Sequence, residues 1–452
     1  MDAVAPGSAG DSSALSPAPA APSPRAPAEG PPADARRNFL LGVLNGSVYA
    51  GGEAFFDSST VLPVVLSSLT RSNALIGLAA SLPELGWMLP QIFVAPWASR
   101  QPSQMPLYRR TAVVRVFCVF GIAASAWALR DHPVALLATF FVLFGTFCLA
   151  AGTSAIAFME LVGRTVPSAR LGAYFARRLF WGGLFGTAAG LVARQVLRLE
   201  DSGTRLAILF GLAGVLCSWA LALFCSIREP ATPPSPTPAT PLRLLQQGLH
   251  WMRHEAAFRQ LFIARATQSV WMSASPFITL FAVIQLRGGG RAAGTLLVTR
   301  LAGYVLSNLA WQRLSRRAGN RAILRVATGM ACVLLFATAA LAWASPWQAG
   351  LVSASAALLG LELITALGGA AQSGLSVGFA ALVLENAPAG QRQSFVSLMN
   401  AFLAPTMLLP LLGGAIVDTV NAPSLFLLCG LGSIVGYRAA TRMPERAARA
   451  TP

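Results

Sequence analysis

The sequence predicts an all-α integral membrane protein, with twelve transmembrane helices arranged as two pseudo-symmetric six-helix bundles. Three observations lead there: composition, the length of the apolar runs, and the placement of arginine. Of 452 residues, 55% are hydrophobic and only 11% are charged, against about 25% charged in ordinary soluble proteins. Most water-soluble folds are excluded on that ground. All 34 basic residues are arginine and none is lysine, which excludes chemistry built on a Schiff-base or phosphate-loop lysine. A net charge of +17 would suggest a nucleic-acid partner in a soluble chain. Here the arginines sit between apolar runs, and no nucleic-acid partner is expected.

Residues 1–37 are rich in Ala, Pro, Ser and Gly and predict a disordered cytoplasmic tail. From Asn38 onward, apolar segments follow one another. A helix crossing about 30 Å of hydrocarbon needs roughly 20 residues. On that ruler twelve spans fall near 38–66, 73–98, 109–130, 133–161, 178–198, 205–227, 259–286, 292–314, 321–344, 360–385, 394–418 and 422–440. The stretch from Gln348 to Glu385 is too long for one helix, so a break or an outer extension is expected before about residue 360. After span six, EPATPPSPTPATP is a proline-rich linker that cannot be helical. Leu242, Leu245, Leu249, Met252 and Phe258 then recur at the spacing of an amphipathic helix lying along the membrane surface. The chain thus divides into a bundle at 38–227, a connector at 228–258, a second bundle at 259–440 and a cytoplasmic tail at 441–452. Twenty-three arginines flank the tail-bearing ends of the spans and 6 flank the opposite ends. That bias places both termini in the cytoplasm of a multi-pass cell-membrane protein. The six cysteines all fall in apolar runs without a C-x-x-C pair, and are read as packing thiols.

Charges inside a bilayer cost about 2.5–3.5 kcal/mol each at a helix centre, so they are the first candidates for function. In span one Glu53 and Asp57 stand four apart, which predicts one helical face, continued by Gly42, Gly46, Ala50 and Thr60. Small residues admit a neighbouring helix, so the stripe is read as facing the bundle interior. The alternative is that either acid caps a helix or pairs with an arginine at the outer edge. Glu84 follows Pro83 in span two, about 16 Å deep at the helical rise, and is read either as an acid open to a ligand or as a kink paired with an arginine. Arg300 of span eight, its face continued by Tyr304, Ser307, Asn308 and Trp311, either binds an anion or pairs with a carboxylate. Arg194 and Arg265 lie near predicted span ends and are read as structural, snorkelling side chains. Glu362 and Asp418 are read as solvated at outer ends. Trp87, Trp181, Trp271 and Phe277 are read as facing lipid or packing, with cavity lining the alternative. His250 and His254, four apart on the connector helix with no third ligand evident, are read as a solvated face, and no metal is expected.

The two halves overlay at an offset of about 210 to 225 residues, the repeat signature described for helical transporters. Glu160 precedes PSARLGAYFARR from Pro167, and Glu385 precedes PAGQRQSFVSLMN from Pro388. Arg115 and Arg325 each stand a little way into the span after a basic loop. Before span nine, Leu314, Arg317, Gly319 and Arg321 match the pattern G-x-L-x-D-R-x-G-R-R, with Gln312 and Arg316 departing from it. A first copy from Ala95 keeps little beyond Arg100, with Ser99 at the acidic position. On these residues the chain resembles the major facilitator superfamily over roughly 38–440.

The resemblance implies two bundles that rock about a midplane cavity. Glu53 is the expected coupling carboxylate, with Asp57, Glu84, Arg300, Tyr304 and Asn308 around the cavity. Arg115, Glu160, Arg170, Arg317, Gly319, Arg325, Glu385 and Arg392 are the expected cytoplasmic gate. No catalytic residue is assigned. No Walker A sequence occurs in the chain, so energy is expected from a proton gradient and no cofactor. The resulting expectation is a monomeric secondary active transporter whose partners are a small-molecule substrate and membrane lipids. Proton-coupled efflux, as an antiporter, is the favoured mode. An uncoupled facilitator or lipid flippase is the alternative, and a membrane-embedded enzyme a weaker one, since the three histidines all lie outside the spans.

Overall fold

The computed structural model describes residues 33–98, 101–167, 170–230, 241–346, 348–386 and 392–443. Among them every regular element is helical. The order is α1 (Ala33–Ala54), α2 (Val61–Ser67), α3 (Asn73–Ala98), α4 (Met105–Ala128), α5 (Pro133–Thr165), α6 (Leu171–Val196), α7 (Ser202–Cys225), α8 (Pro241–His254), α9 (Ala256–Leu280), α10 (Gly289–Leu306), α11 (Asn308–Ala344), α12 (Ala354–Asn386), α13 (Arg392–Leu403), α14 (Leu409–Thr419) and α15 (Ala422–Thr441). A π turn, Phe281–Gln285, extends α9, and a 3-10 turn, Ala404–Leu408, joins α13 to α14. Eight helical stretches among the described residues are long and apolar enough to cross a membrane. One of them, Gly289–Ala344, has 56 residues, more than twice what a bilayer requires. Inside it Gly319 takes φ 76°, a left-handed conformation open to glycine, and the helix breaks there.

Two sequence expectations change. Ala33–Arg37 of the predicted tail are the first turns of α1, while 1–32, the proline-rich 231–240 and 444–452 lie outside the described residues. The break expected before residue 360 is present around Gly350 (φ 65°), and α12 follows it as one continuous helix of 33 residues. The more consequential change is span one, which is not one helix. Asp57 Oδ1 accepts bonds from the backbone N–H of Ser59 and Thr60 at 3.0 and 2.9 Å and from the Thr60 hydroxyl at 2.8 Å. Such a local side-chain turn competes with the helix ladder. The chain leaves the helix after Ala54 and resumes at Val61, so Glu53 and Asp57 do not share a helical face.

Two ends of the molecule can be told apart. The end carrying the first and last described residues and α8 is the connector end; the opposite one is the far end. At the far end a single hydrophobic core joins residues of both halves, such as Leu66, Ile76 and Phe210 with Phe277, Leu297 and Phe426. Toward the connector end this core divides. One branch holds Phe39, Tyr108, Tyr174 and Phe224 of the first half. The other holds Phe258, Ile323, Phe395 and Met399 of the second half and, among the described residues, reaches across to Leu85 and Met88 of α3. Connector helix α8 lies on the second branch: Trp251 is buried against Phe258 and Phe395, with ring centroids 5.8 and 5.3 Å away. Large apolar side chains such as Phe117, Trp127, Val134, Val142 and Trp219 face outward. A surface of that kind is suited to lipid rather than to water. The chain is a multi-pass membrane protein.

Candidate functional site

Where the core divides, a cavity of about 240 Å³ enters the first half. Its polar lining comes from four helices: Asn45, Tyr49 and Glu53 of α1, Arg115 of α4, Ser154 of α5 and Arg178 of α6. Glu53 is open to the cavity. Its carboxylate faces the Tyr49 hydroxyl and lies within electrostatic reach of Arg115, Arg178 and Glu84. Arg115 stands ten residues into α4, about 15 Å from the connector end. It donates to Ser154 Oγ at 3.2 Å and to the Tyr49 hydroxyl, and its guanidinium lies 4.9 Å from the Tyr49 ring centroid and 5.3 Å from that of Phe147. Arg178 donates to Asn45 Oδ1 at 2.7 Å and to the Gly42 carbonyl at 3.0 Å, and sits 4.6 Å over Phe158. Glycine makes this possible, because a Cβ at Gly46 would stand 2.2 Å from Arg178 Cγ. Asn45 in turn donates to the Ala220 carbonyl at 2.8 Å. The result is an acid between two arginines whose other partners are neutral oxygens, walled by Trp87, Phe147 and Phe158.

Asp57 faces the other half. Its Oδ2 pairs with Arg300 Nη2, the two side chains only 17% and 10% exposed, and Arg300 Nη1 also donates to Gln372 Oε1 at 3.3 Å. Of the two readings of Arg300, the structure shows carboxylate pairing. Tyr304 continues that face; its carbonyl accepts from Asn308 Nδ2 at 2.9 Å, and Asn308 Oδ1 accepts from Ser373 at 3.1 Å. Those bonds tie the α10–α11 junction to α12. Glu84 lies on α3, which runs unbroken through Pro83. It is within electrostatic reach of Glu53 and of Arg265, without an ion pair closer than 4 Å among the described residues. Three further bonds hold the far end shut: Asp418 accepts from the backbone N–H of Asn73 and Ala74, each at 3.0 Å, and from Asn73 Nδ2 at 2.8 Å. Nearby Thr279 donates to the Ser59 carbonyl at 2.8 Å. Close approach of α3 and α14 depends on Gly77, where a Cβ would stand 2.0 Å from the Pro410 carbonyl oxygen.

The expected gate residues are scattered. Arg115 belongs to the cavity, whereas Arg325 is exposed, so their matched sequence positions hide different roles. Glu160 pairs with Arg164 at 2.9 Å instead of Arg170, which stands exposed at the start of α6. Glu385 accepts from Asn320 Nδ2 at 2.6 Å, and Asn320 Oδ1 accepts from Ser315 at 2.7 Å. Arg317 is exposed, Gly319 makes the turn already described, and the side chain of Arg392 lies outside the described residues, as do Ser99 and Arg100. Sequence reasoning overlooked Glu229. It accepts from Ser103 Oγ at 2.5 Å, from the Gln104 and Met105 backbone at 2.9 and 3.0 Å, and from Arg164 at 2.8 Å, thereby capping α4. It also overlooked Arg178, taken as the first residue of span five although α6 begins at Leu171. Trp87 lines the cavity, Trp271 and Phe277 are buried, and Trp181 faces outward. The His250 and His254 rings, 4.6 Å apart, lie on the exposed face of α8.

No family model matches the chain. Uncharacterized proteins of Mycobacterium tuberculosis and Mycobacterium bovis are 25% identical over 321 residues, which cover 68% of this chain and 60% of theirs. The match therefore spans less than two thirds of the length of these curated relatives. Among solved structures, a D-xylose-proton symporter superposes with a TM-score of 0.66 at 15% identity, covering 91% of this chain and 98% of that one. A mutant of the nucleoside transporter NupG gives 0.65 at 14%, covering 91% and 100%. An auto-inhibited POT family peptide transporter gives 0.64 at 13%, covering 92% and 99%. Identities this low speak to architecture alone: the chain has the fold of these membrane transporters.

Proposed function

We propose that the chain is a secondary transporter of the major facilitator type, carrying a small organic molecule by alternating access. In this reading α1 with α2, and α13 with α14, each form one interrupted span, the 56-residue stretch is two, and twelve spans result. The arginine bias makes the connector end cytoplasmic. The observation that carries the reading is the first-half cavity where the core divides, beneath a far end locked by cross-half bonds. A closed far end over an open connector end is one of the two states that alternating access requires.

Glu53 is proposed as the coupling acid. When ionised it is balanced through space by Arg115 and Arg178; when protonated it releases that balance. Proton exchange at this carboxyl would then differ between the two states. Efflux by proton antiport, with no bound cofactor, is the favoured mode. In everted vesicles a panel of organic anions, cations and neutral compounds should include one whose uptake stops when a protonophore collapses the gradient. Glu53→Gln, which keeps the shape without the titration, should abolish accumulation against a gradient and leave downhill exchange. Uptake indifferent to the protonophore would favour an uncoupled facilitator or flippase.

A further inference from the structure

Arg265 is an arginine with no hydrogen bond or ion pair among the described residues. It lies nine residues into α9, about 13 Å from the connector end of that helix. Its Nε and Nη1 are buried with no hydrogen-bond partner among the described residues. The guanidinium stands 4.7 Å from the Phe379 ring centroid of α12, and Glu84 of α3 and Tyr304 of α10 are its electrostatic neighbours. It therefore faces the space between the halves. Arg115 and Arg178 each have two acceptors, and Arg300 has Asp57 and Gln372. One helical turn along the same face, Gln268 is 7% exposed and its Oε1 also has no partner among the described residues.

A buried cation without a counter-ion is costly, and a ring face offsets only part of that cost. Glu84 carries the missing charge but stands beyond ion-pair distance. We propose that Arg265 is the binding residue for the anionic group of the cargo, and that the cargo is an organic monocarboxylate or similar monoanion. Its apolar body would lie among Phe379, Trp87 and the aromatic wall of the cavity. This inference rests on the transport reading. It also fits export, because an anion leaving a negative-inside cell moves down the electrical potential.

The test is binding to the full-length chain in detergent, measured by titration calorimetry, which needs no transport. The probes are benzoate, indole-3-acetate and octanoate, each with its amide and its amine counterpart. At least one acid should bind about tenfold or more tightly than its amide, the difference made by one charge-assisted contact. Arg265→Gln should erase that acid-over-amide preference, Arg265→Lys should keep part of it, and Glu84→Gln should leave it intact or increase it. Monodispersity on size exclusion would establish that each variant is folded. Preference for the amines, binding of none of the acids, an unchanged preference in Arg265→Gln, or a Glu84→Gln variant that loses it as well would each overturn the assignment. Acid binding without any uptake in vesicles would instead retire the transport reading and leave the site standing; uptake of amines alone would do the reverse.

Discussion

The two ends of the molecule are held together by the same kinds of bond, deployed differently. At the far end the polar ties cross between halves: Asp57 to Arg300, Asp418 to the start of α3, Thr279 to Ser59. At the connector end most stay within one half: Glu229 with Arg164 and the α4 start, Glu160 with Arg164, Asn320 with Glu385; a long 3.4 Å bond from Asn400 Nδ2 to Gln91 Oε1 crosses between halves. The apolar core follows the same division, shared at one end and split at the other. Bonds that cross halves can set which end is open; bonds within a half can only keep that half rigid. Rocking requires both, and the contrast predicts which substitutions alter gating and which alter stability.

The largest effect should come from Arg300→Gln. It leaves Asp57 charged and unpaired in a mostly buried place, which costs about 2 kcal/mol or more, a shift above tenfold toward the far-end-open form. Cysteine labelling from the far end should rise at Phe56→Cys, and the swap Asp57→Arg with Arg300→Asp should return it toward the starting level. Glu229→Gln comes next but on a different axis. Its side chain is 7% exposed and serves four donors, so the melting temperature should fall by the equivalent of about 1–3 kcal/mol with far-end labelling unchanged. Asp418→Ala removes a helix N-cap made across the halves, worth about 1 kcal/mol, and should open the far end modestly. Glu160→Gln removes an i,i+4 pair whose acid is 45% exposed, worth about 0.3–0.5 kcal/mol, and should change neither stability nor labelling measurably. A large gating effect from Glu160→Gln, with none from Arg300→Gln, would invert the comparison.

The spans were legible because lipid imposes length and apolarity on every crossing helix, and the observed helices lie close to those predicted. Helix ends were less so, and the site residues suffered for it. The sequence puts Arg178 and Arg265 at span ends because its apolar runs start later than Leu171 and Ala256, where α6 and α9 begin. Starting those helices earlier by seven and three residues moves both arginines inward, toward the cavity. Glu53 stood out as an interior acid, but its partner Asp57 was read on a continuous helix. The run Asp57, Ser58, Ser59, Thr60 carries the signal for the interruption, since Asp followed by Ser and Thr favours a side-chain turn. Arg115 and Arg325 stand at matched sequence positions but bond differently: one lines the cavity and the other is exposed.

Alternation itself is tested most directly by distances across both ends at once. Spin labels at Arg71→Cys and Val420→Cys report the far end, and labels at Gly172→Cys and Arg316→Cys report the connector end; all four positions are exposed. Pulsed electron resonance on the chain in lipid vesicles should give a short far-end distance and a long connector-end distance. Adding Arg300→Gln should lengthen the first and shorten the second together. Distances that stay fixed at both ends, or that lengthen at both, would contradict a rocking transporter.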